Sequence, residues 1–291
     1  MSARYERPAT LAEATRLLAA GGWRVLAGGT DLYPAHVGRP VDAPLLDIGG
    51  IAALRGIHAG QDGAWTLGAA TTWTDVLRAD LPPRFDALRQ AAREIGGVQI
   101  QNTGTVAGNL CNASPAADGI AVFMALDAEA VLRSGEGERR VPAVDFVLGN
   151  RRTACAPHEL VTAIELPPAS PRARSVFLKL GGRRYLTIAV TLVAAAVDLD
   201  AGGRIVRAGV AVGSCAAHAQ RLPSLELRML GQALGELASV PVTRDLLAPL
   251  APLDDLRGSA AFRRDATASL VARALAGLAV DTAAPAHEAV A

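Results

Sequence analysis

The stretch from Gln99 to Asp118, QIQNTGTVAGNLCNASPAAD, constrains this chain more than any other. It crowds two glycines, Gly104 and Gly108, with Asn102, Asn109, Asn112, Thr103, Thr105 and Ser114, in an order that suits neither a helix nor a strand. Glycines let the backbone approach a ligand closely and take a positive φ. Asn, Thr and Ser add short neutral hydrogen-bonding arms. Successive backbone N–H groups in such a loop form a concave nest that suits a phosphate oxygen. An ordinary surface loop can have the same composition. Apolar segments flank this one closely on both sides, so it is read as a ligand cradle held inside a fold.

Composition narrows the function. At 291 residues the chain has room for two or three subdomains, and with half of it hydrophobic it can bury a sizeable core. A formal net charge of +1 argues against nucleic acid or an anionic membrane as the main partner. Cys111, Cys155 and Cys215 lie far apart and make no CxxC or Cys/His spacing. Buried free thiols are therefore expected, not a disulfide framework or an iron–sulfur cluster in this chain. The opening MSARYERPATLAEA has no apolar core of a secretory signal, and no run reaches eighteen apolar residues. A soluble, cytoplasmic protein without membrane insertion is expected. Of the 29 basic residues only Lys179 is a lysine. Either a compact ammonium is needed there, or one lysine is simply left over.

Along the chain, Thr10 caps a helix over LAEATRLLAA, with Glu13 completing a capping box and Gly21-Gly22 stopping it. The short strand WRVLA runs into Gly28-Gly29-Thr30-Asp31-Leu32, a second place for bare N–H groups to meet a phosphate. Strand LLDI follows, and Thr74 is read as the cap of a helix starting DVLRADL. Helical FDALRQAAREIG leads into the cradle; helix GIAVFMALDA and strand Glu129 to Arg133 leave it. Strands VPAVDFV and LVTAIELP flank the loop GNRRTACAPHE, and PPASPRARS is the clearest linker. Ile188 to Leu199 and Ile205 to Val212 read as an antiparallel hairpin around Gly202-Gly203. Helical segments are expected at Ser224 to Leu237, Val242 to Leu250 and Ser259 to Leu278, then a disordered Ala/Pro-rich end at 281–291.

Several chemistries lack their motifs. GxxxxGK[ST], a GxGxxG after a strand, HExxH, GxSxG and the kinase signatures do not occur. The five histidines are scattered in sequence. What remains is a binder of a phosphorylated ligand, with two glycine-rich loops about seventy-five residues apart. Such loops suit a long ligand with a central diphosphate lying between two lobes.

AGGTDL (Ala27 to Leu32), TGTVAGNLCNASPAAD (Thr103 to Asp118), ELVTAIELP (Glu159 to Pro167) and KLGGRRYLTIA (Lys179 to Ala189) together resemble one family. It is the FAD-binding medium subunit of the molybdenum hydroxylases, relatives of xanthine dehydrogenase and aerobic carbon monoxide dehydrogenase. The resemblance covers Tyr5 to Leu278. It implies an α+β fold of the vanillyl-alcohol-oxidase type: FAD-binding subdomains at 1–56 and 57–170, and a C-terminal subdomain of antiparallel sheet and helices at 171–280. It further implies FAD as the cofactor, with the loops Leu26, Ala27, Gly28, Gly29, Thr30, Asp31, Leu32 and Thr105, Val106, Ala107, Gly108, Asn109 around its diphosphate. Asp118 matches the ribityl-side carboxylate, with Asn112 a polar contact nearby. Val161 falls where an apolar residue packs on the isoalloxazine, Lys179 where a basic residue lies near the flavin, and Tyr185 where a tyrosine stacks over the ring. The chain departs from the pattern at Ala107, where the family usually has glycine, and after its Arg pair, where an acidic residue is often found.

On this resemblance the chain oxidises no substrate itself. A large partner is expected to hold the molybdenum cofactor, and a small one two [2Fe–2S] clusters that feed electrons to the flavin. The acceptor is NAD+, oxygen or another carrier, and the assembly a dimer of heterotrimers. The wording GNLCNASPAAD leans toward the purine and N-heterocycle branch, Tyr185 toward the carbon monoxide branch. The competing readings are a free-standing FAD oxidase, a scaffold that has lost FAD, and a binder of nucleotide-sugar or coenzyme A.

Overall fold

Three separate sheets organise the chain, and their order follows its apolar runs. In the computed structural model, which describes residues 4–280, the first is formed by β1 (Tyr5–Glu6), β2 (Arg24–Leu26) and β3 (Leu45–Asp47) in the order β1-β3-β2, all parallel. Helix α1 (Leu11–Ala19) buries Ala14 and Leu18 against Leu46 and Ile48. The Thr10 hydroxyl accepts from the Glu13 N–H at 3.2 Å, and the Glu13 carboxylate reaches one residue further back, to the Ala9 N–H. Gly21 and Gly22, at φ +79° and +80°, end the helix as only glycine readily can.

The second sheet contains β4 (Ile57–Ala59), β5 (Trp65–Gly68), β6 (Glu129–Arg133), β7 (Glu138–Pro142) and, after the small hairpin of β8 (Val147–Gly149) and β9 (Arg152–Thr153), β10 (Leu160–Leu166). Its order is β4-β5-β10-β6-β7, and every pairing is antiparallel. The helices α2 (Trp73–Arg78), α3 (Asp86–Glu94), α4 (Val98–Thr103), α5 (Val106–Asn112), α6 (Asp118–Ala125) and α7 (Ala143–Phe146) join these strands. Two expectations change here. The cap of α2 is Thr72, not Thr74: its hydroxyl accepts from the Asp75 N–H while Asp75 accepts from the Thr72 N–H. And the cradle is not a loop but two short helices meeting at Gly104, because Thr105 caps α5 by accepting from the Gly108 N–H at 3.0 Å.

The third sheet, β11 (Arg174–Gly181), β12 (Ala189–Leu199), β13 (Ile205–Gly213) and β14 (Gln220–Arg221), is antiparallel in that order. Helix α8 (Pro223–Met229) and helix α9 (Ala260–Ala279) cover one face, while α3 and α6 cover the other. The helices expected over 224–237 and 242–250 are shorter than anticipated. Gly231 at φ +77° stops the first, and only short 3₁₀ segments at Leu234–Ser239 and Arg244–Leu247 follow. Each strand of β12–β13 is as expected. The tail at 281–291 lies outside the described residues.

All eleven residues of β12 are buried, which explains a long apolar run broken only by Thr191 and Asp198. Leu192, Ala194 and Ala196 belong to the core shared with the second sheet; Val193, Ala195, Val197 and Leu199 belong to the core under α9. Where α6 presses on this sheet the neighbour must be glycine. A Cβ on Gly209 would lie 2.1 Å from the Ala125 carbonyl oxygen. Gly209→Ala should therefore lower stability by about 1–3 kcal/mol in urea unfolding. Gly235→Ala, whose Cβ would meet nothing within 4 Å, is the control. Equal midpoints for the two would contradict the close packing of α6.

Candidate functional site

Both glycine-rich segments open onto one cleft of about 710 Å³, within the range of small-molecule and cofactor sites. Residues 23–32 form one wall, with Leu26 and Leu32 buried at its base. Gly104, Thr105, Ala107, Gly108, Asn109 and Asn112 form a second. The segment from Thr153 to Val161 supplies a third, with Val161 4% exposed on β10. The cleft thus gathers Leu26, Ala27, Gly28, Gly29, Thr30, Asp31, Leu32, Thr105, Ala107, Gly108, Asn109, Asn112 and Val161 from positions scattered in sequence.

The two loops touch backbone to backbone. An added Cβ on Gly28 would sit 1.9 Å from the Thr103 carbonyl oxygen, and one on Gly29, at φ +68°, 2.4 Å from the Tyr33 ring. The second loop is anchored from behind: Val106 N–H donates to Thr71 O at 2.9 Å, and Trp73 N–H to Gly104 O at 3.2 Å. With Val106 bound to Thr71 and Gly108 bound to Thr105, the Ala107 N–H is left as a first-turn donor with no intrahelical acceptor. Gly104 and Gly108 are there for room, since neither has a positive φ; that conformation falls instead to Ala113, φ +47°, closing α5. Ala107 lies inside α5 and is not among the positive-φ residues, so its methyl meets no backbone penalty.

Four of the residues implied by the resemblance do not line the cleft. Val106 is fully buried in the core. Asp118, the first residue of α6, pairs with Lys179 of β11 at 2.8 Å, and both side chains are buried. Burial pushes the Asp118 carboxyl up to about 6; the Lys179 ammonium pulls it down, and Glu94 adds a weaker upward push. Lys179 also donates to the Glu94 carbonyl at 3.3 Å. Tyr185 is 53% exposed on the loop between β11 and β12, with the Arg184 guanidinium 5.3 Å from its ring. Among the described residues, Asn109 Oδ1 and Asp118 Oδ1 are buried side-chain acceptors without a donor. Such atoms are costly unless something hydrogen-bonds them.

Other features of the site were missed by the sequence reading. The first part of the third wall, Thr153, Cys155, Ala156 and Pro157, carries no motif, and only folding brings it beside the glycine loops. Arg151, in the turn between β8 and β9, hydrogen-bonds Asn112 and had no signal beyond being one of many arginines. The thiols also differ from expectation: Cys215 is buried, Cys155 half-buried and Cys111 exposed. Cys111 and Cys155 face the cleft, where small side chains leave them partly uncovered. No group of three or more His, Cys, Asp or Glu among the described residues could hold a metal ion. No helix among them is long and apolar enough to cross a membrane.

Residues 1–169 match the model of the FAD binding domain in molybdopterin dehydrogenase, and 177–278 that of the CO dehydrogenase flavoprotein C-terminal domain. The chain is 32% identical over 265 residues to a putative xanthine dehydrogenase FAD-binding subunit of Escherichia coli K12, covering 90% of each. It is 30% identical over 275 residues to the carbon monoxide dehydrogenase medium chain of Hydrogenophaga pseudoflava, covering 93% of this chain and 95% of that one. A crystal structure of a Cu,Mo-CO dehydrogenase in its cyanide-inactivated form contains a chain that superposes with a TM-score of 0.83 at 29% identity. The match covers 94% of this chain and 96% of that one.

The loop contact makes a direct prediction. Gly28→Ala should force residues 26–31 away from Thr103, raising amide hydrogen exchange in both loops and costing about 1–3 kcal/mol of stability. Unchanged exchange at 26–31 and 103–105 would show that the loops do not press together.

Proposed function

This chain belongs to the family of FAD-binding subunits of the molybdopterin dehydrogenases, and from that premise we propose that it is the electron-transferring flavoprotein of a multi-subunit molybdenum hydroxylase. The observation that carries the reading is the cleft itself. Two glycine segments meet at distances that a Cβ would close, beside Asn109 Oδ1, a buried acceptor of the cleft wall still lacking a donor. A diphosphate suits the first feature, and a chain of hydroxyls suits the second.

Bound FAD supplies reversible redox chemistry, accepting and releasing electrons at its ring system. The chain's own residues bind and tune it. Gly28 to Asp31 and Thr105 to Asn109 hold the diphosphate, chiefly through backbone N–H groups. Asn109 and Asp118 accept from ligand hydroxyls. Val161 provides an apolar wall, and Tyr185 covers the ring from its exposed loop. In this reading a large partner carries the molybdenum cofactor and a small partner carries [2Fe–2S] clusters that deliver the electrons. NAD+, oxygen or another carrier receives them. The complex is a cytoplasmic dimer of heterotrimers, and the subdomain limits in this chain are 1–56, 57–170 and 171–280.

Lys179 does not act as an isolated positive charge, because Asp118 neutralises it at 2.8 Å. The flavin experiences the pair. Asp118→Asn should raise the flavin midpoint potential by leaving an ammonium, whereas Lys179→Ala should move it less, because the Asp118 carboxyl, already pushed up to about 6 beside that ammonium, takes up a proton once it is gone. Potentials unmoved in both variants, with FAD still bound, would remove the pair from any tuning role. The reading as a whole is tested by the absorption spectrum of the purified chain and by the flavin released on denaturation. FAD, and not FMN, is expected in the supernatant. A colourless chain that also refuses added FAD would overturn it.

A further inference from the structure

Three segments remote in sequence meet at the edge of the cleft. The Asn112 amide donates to Asp31 Oδ1 at 2.9 Å, and its carbonyl oxygen accepts from Arg151 Nη1. Asp31 comes from the first glycine segment, Asn112 from the end of α5, and Arg151 from the turn between β8 and β9. Both polar ends of Asn112 are therefore committed within the protein. Arg151 is presented on a left-handed backbone at φ +58°, and its N–H donates at 3.0 Å to the carbonyl of Ala113, itself left-handed at φ +47°. Residues with a side chain take this conformation at a cost, and persist in it where surrounding structure holds them.

Asp31 makes the arrangement informative. It is a carboxylate lining a cleft that, on the reading above, accepts a diphosphate. Like charges at short range oppose binding. Nothing in a glycine segment corrects this, because glycines contribute no charge. The chain supplies the correction from elsewhere: an amide fixes the carboxylate, and a guanidinium stands behind the amide. Arg151 does not line the cleft, so it works through Asn112 and not as a direct ligand.

We propose that Arg151 is the counter-charge of Asp31: acting through Asn112, it holds that carboxylate and offsets its charge, so that the cleft accepts an anionic diphosphate cofactor. The inference rests on the FAD reading, and its test separates the two. The full chain, stripped of flavin, is titrated with FAD at low and high ionic strength, with flavin fluorescence as the readout. Arg151→Ala should raise Kd by about twofold to about fivefold at low salt, the range of an exposed charge pair. The difference should shrink at high salt. Arg151→Gln keeps an amide donor for Asn112 but no charge, and should weaken binding to the same degree. The double variant Asp31→Asn with Arg151→Ala should bind FAD more tightly than Arg151→Ala alone, which damage to the fold would not allow. Unchanged Kd in either single variant, or a double variant as weak as Arg151→Ala, overturns the proposal while leaving the FAD reading intact. Failure of the unchanged chain to take up FAD overturns both.

Discussion

The position of the cofactor cleft depends on a strand that is buried from end to end. Each face of β12 belongs to a different core, so the strand cannot shift by one residue without exchanging them. On one face lies α6, all eight of whose residues are buried, held so close that β13 must offer Gly209 to it. Trp73 stacks with Phe123 of α6 at a centroid distance of 6.4 Å, and Gly119 leaves space for both the Trp73 ring and Asn109. The backbone of Trp73 in turn bonds Gly104, where the second loop meets the first. A continuous path of packed atoms therefore joins the third sheet to the point where Gly28 presses on Thr103 at the cleft. Small residues along that path let backbones touch, so the cleft is shaped mostly by main chain.

The same geometry explains why the chain's sole lysine is where it is. β11 carries Lys179 from the third sheet to the start of α6, where Asp118 belongs to the second-sheet region. An ion pair buried in this way does little for stability, because desolvating both charges offsets their attraction. Removing one partner leaves a charge in a place that cannot solvate it. The pair ties two regions together and fixes the local field. Lysine's compact ammonium meets one Asp118 carboxylate oxygen and the Glu94 carbonyl here, whereas arginine would bring a larger planar fork of five N–H groups.

Much of this was legible in the sequence, and the boundary is physical. The β12–β13 hairpin was readable because a strand buried on both faces is a long apolar run, broken here only by Thr191 and Asp198. The end of α1 was readable because two consecutive glycines take positive φ. Both glycine loops were recognised, and their meeting in one cleft matches the ligand expected from their spacing. The cradle's helices were not recognised, since Thr105 capping Gly108 is a local bond inside a segment whose composition favours turns. Thr74 was taken for Thr72 because two threonines two residues apart offer equal caps until Asp75 chooses between them. The part of the third wall at 153–157 and Arg151 were invisible for another reason. Their roles come from tertiary neighbours, and no spacing along the chain encodes that.

Ala107 shows how a departure from a family pattern can be neutral in structure. Glycine at such a position is needed if the backbone turns left-handed or if a neighbour occupies the Cβ site. Neither condition holds at Ala107 itself. Ala107 follows a capping threonine on a right-handed helical turn, and the left-handed residue lies six positions on, at Ala113. The requirement for glycine has moved to Gly108, where a Cβ would lie 2.7 Å from the Thr105 hydroxyl that caps the helix. A methyl at 107 instead favours the helical backbone, since alanine gives up less conformational freedom than glycine on becoming helical. The substitution therefore stiffens the first turn of α5, the turn whose N–H groups face the proposed diphosphate site, and leaves the close approach of the two loops to Gly28.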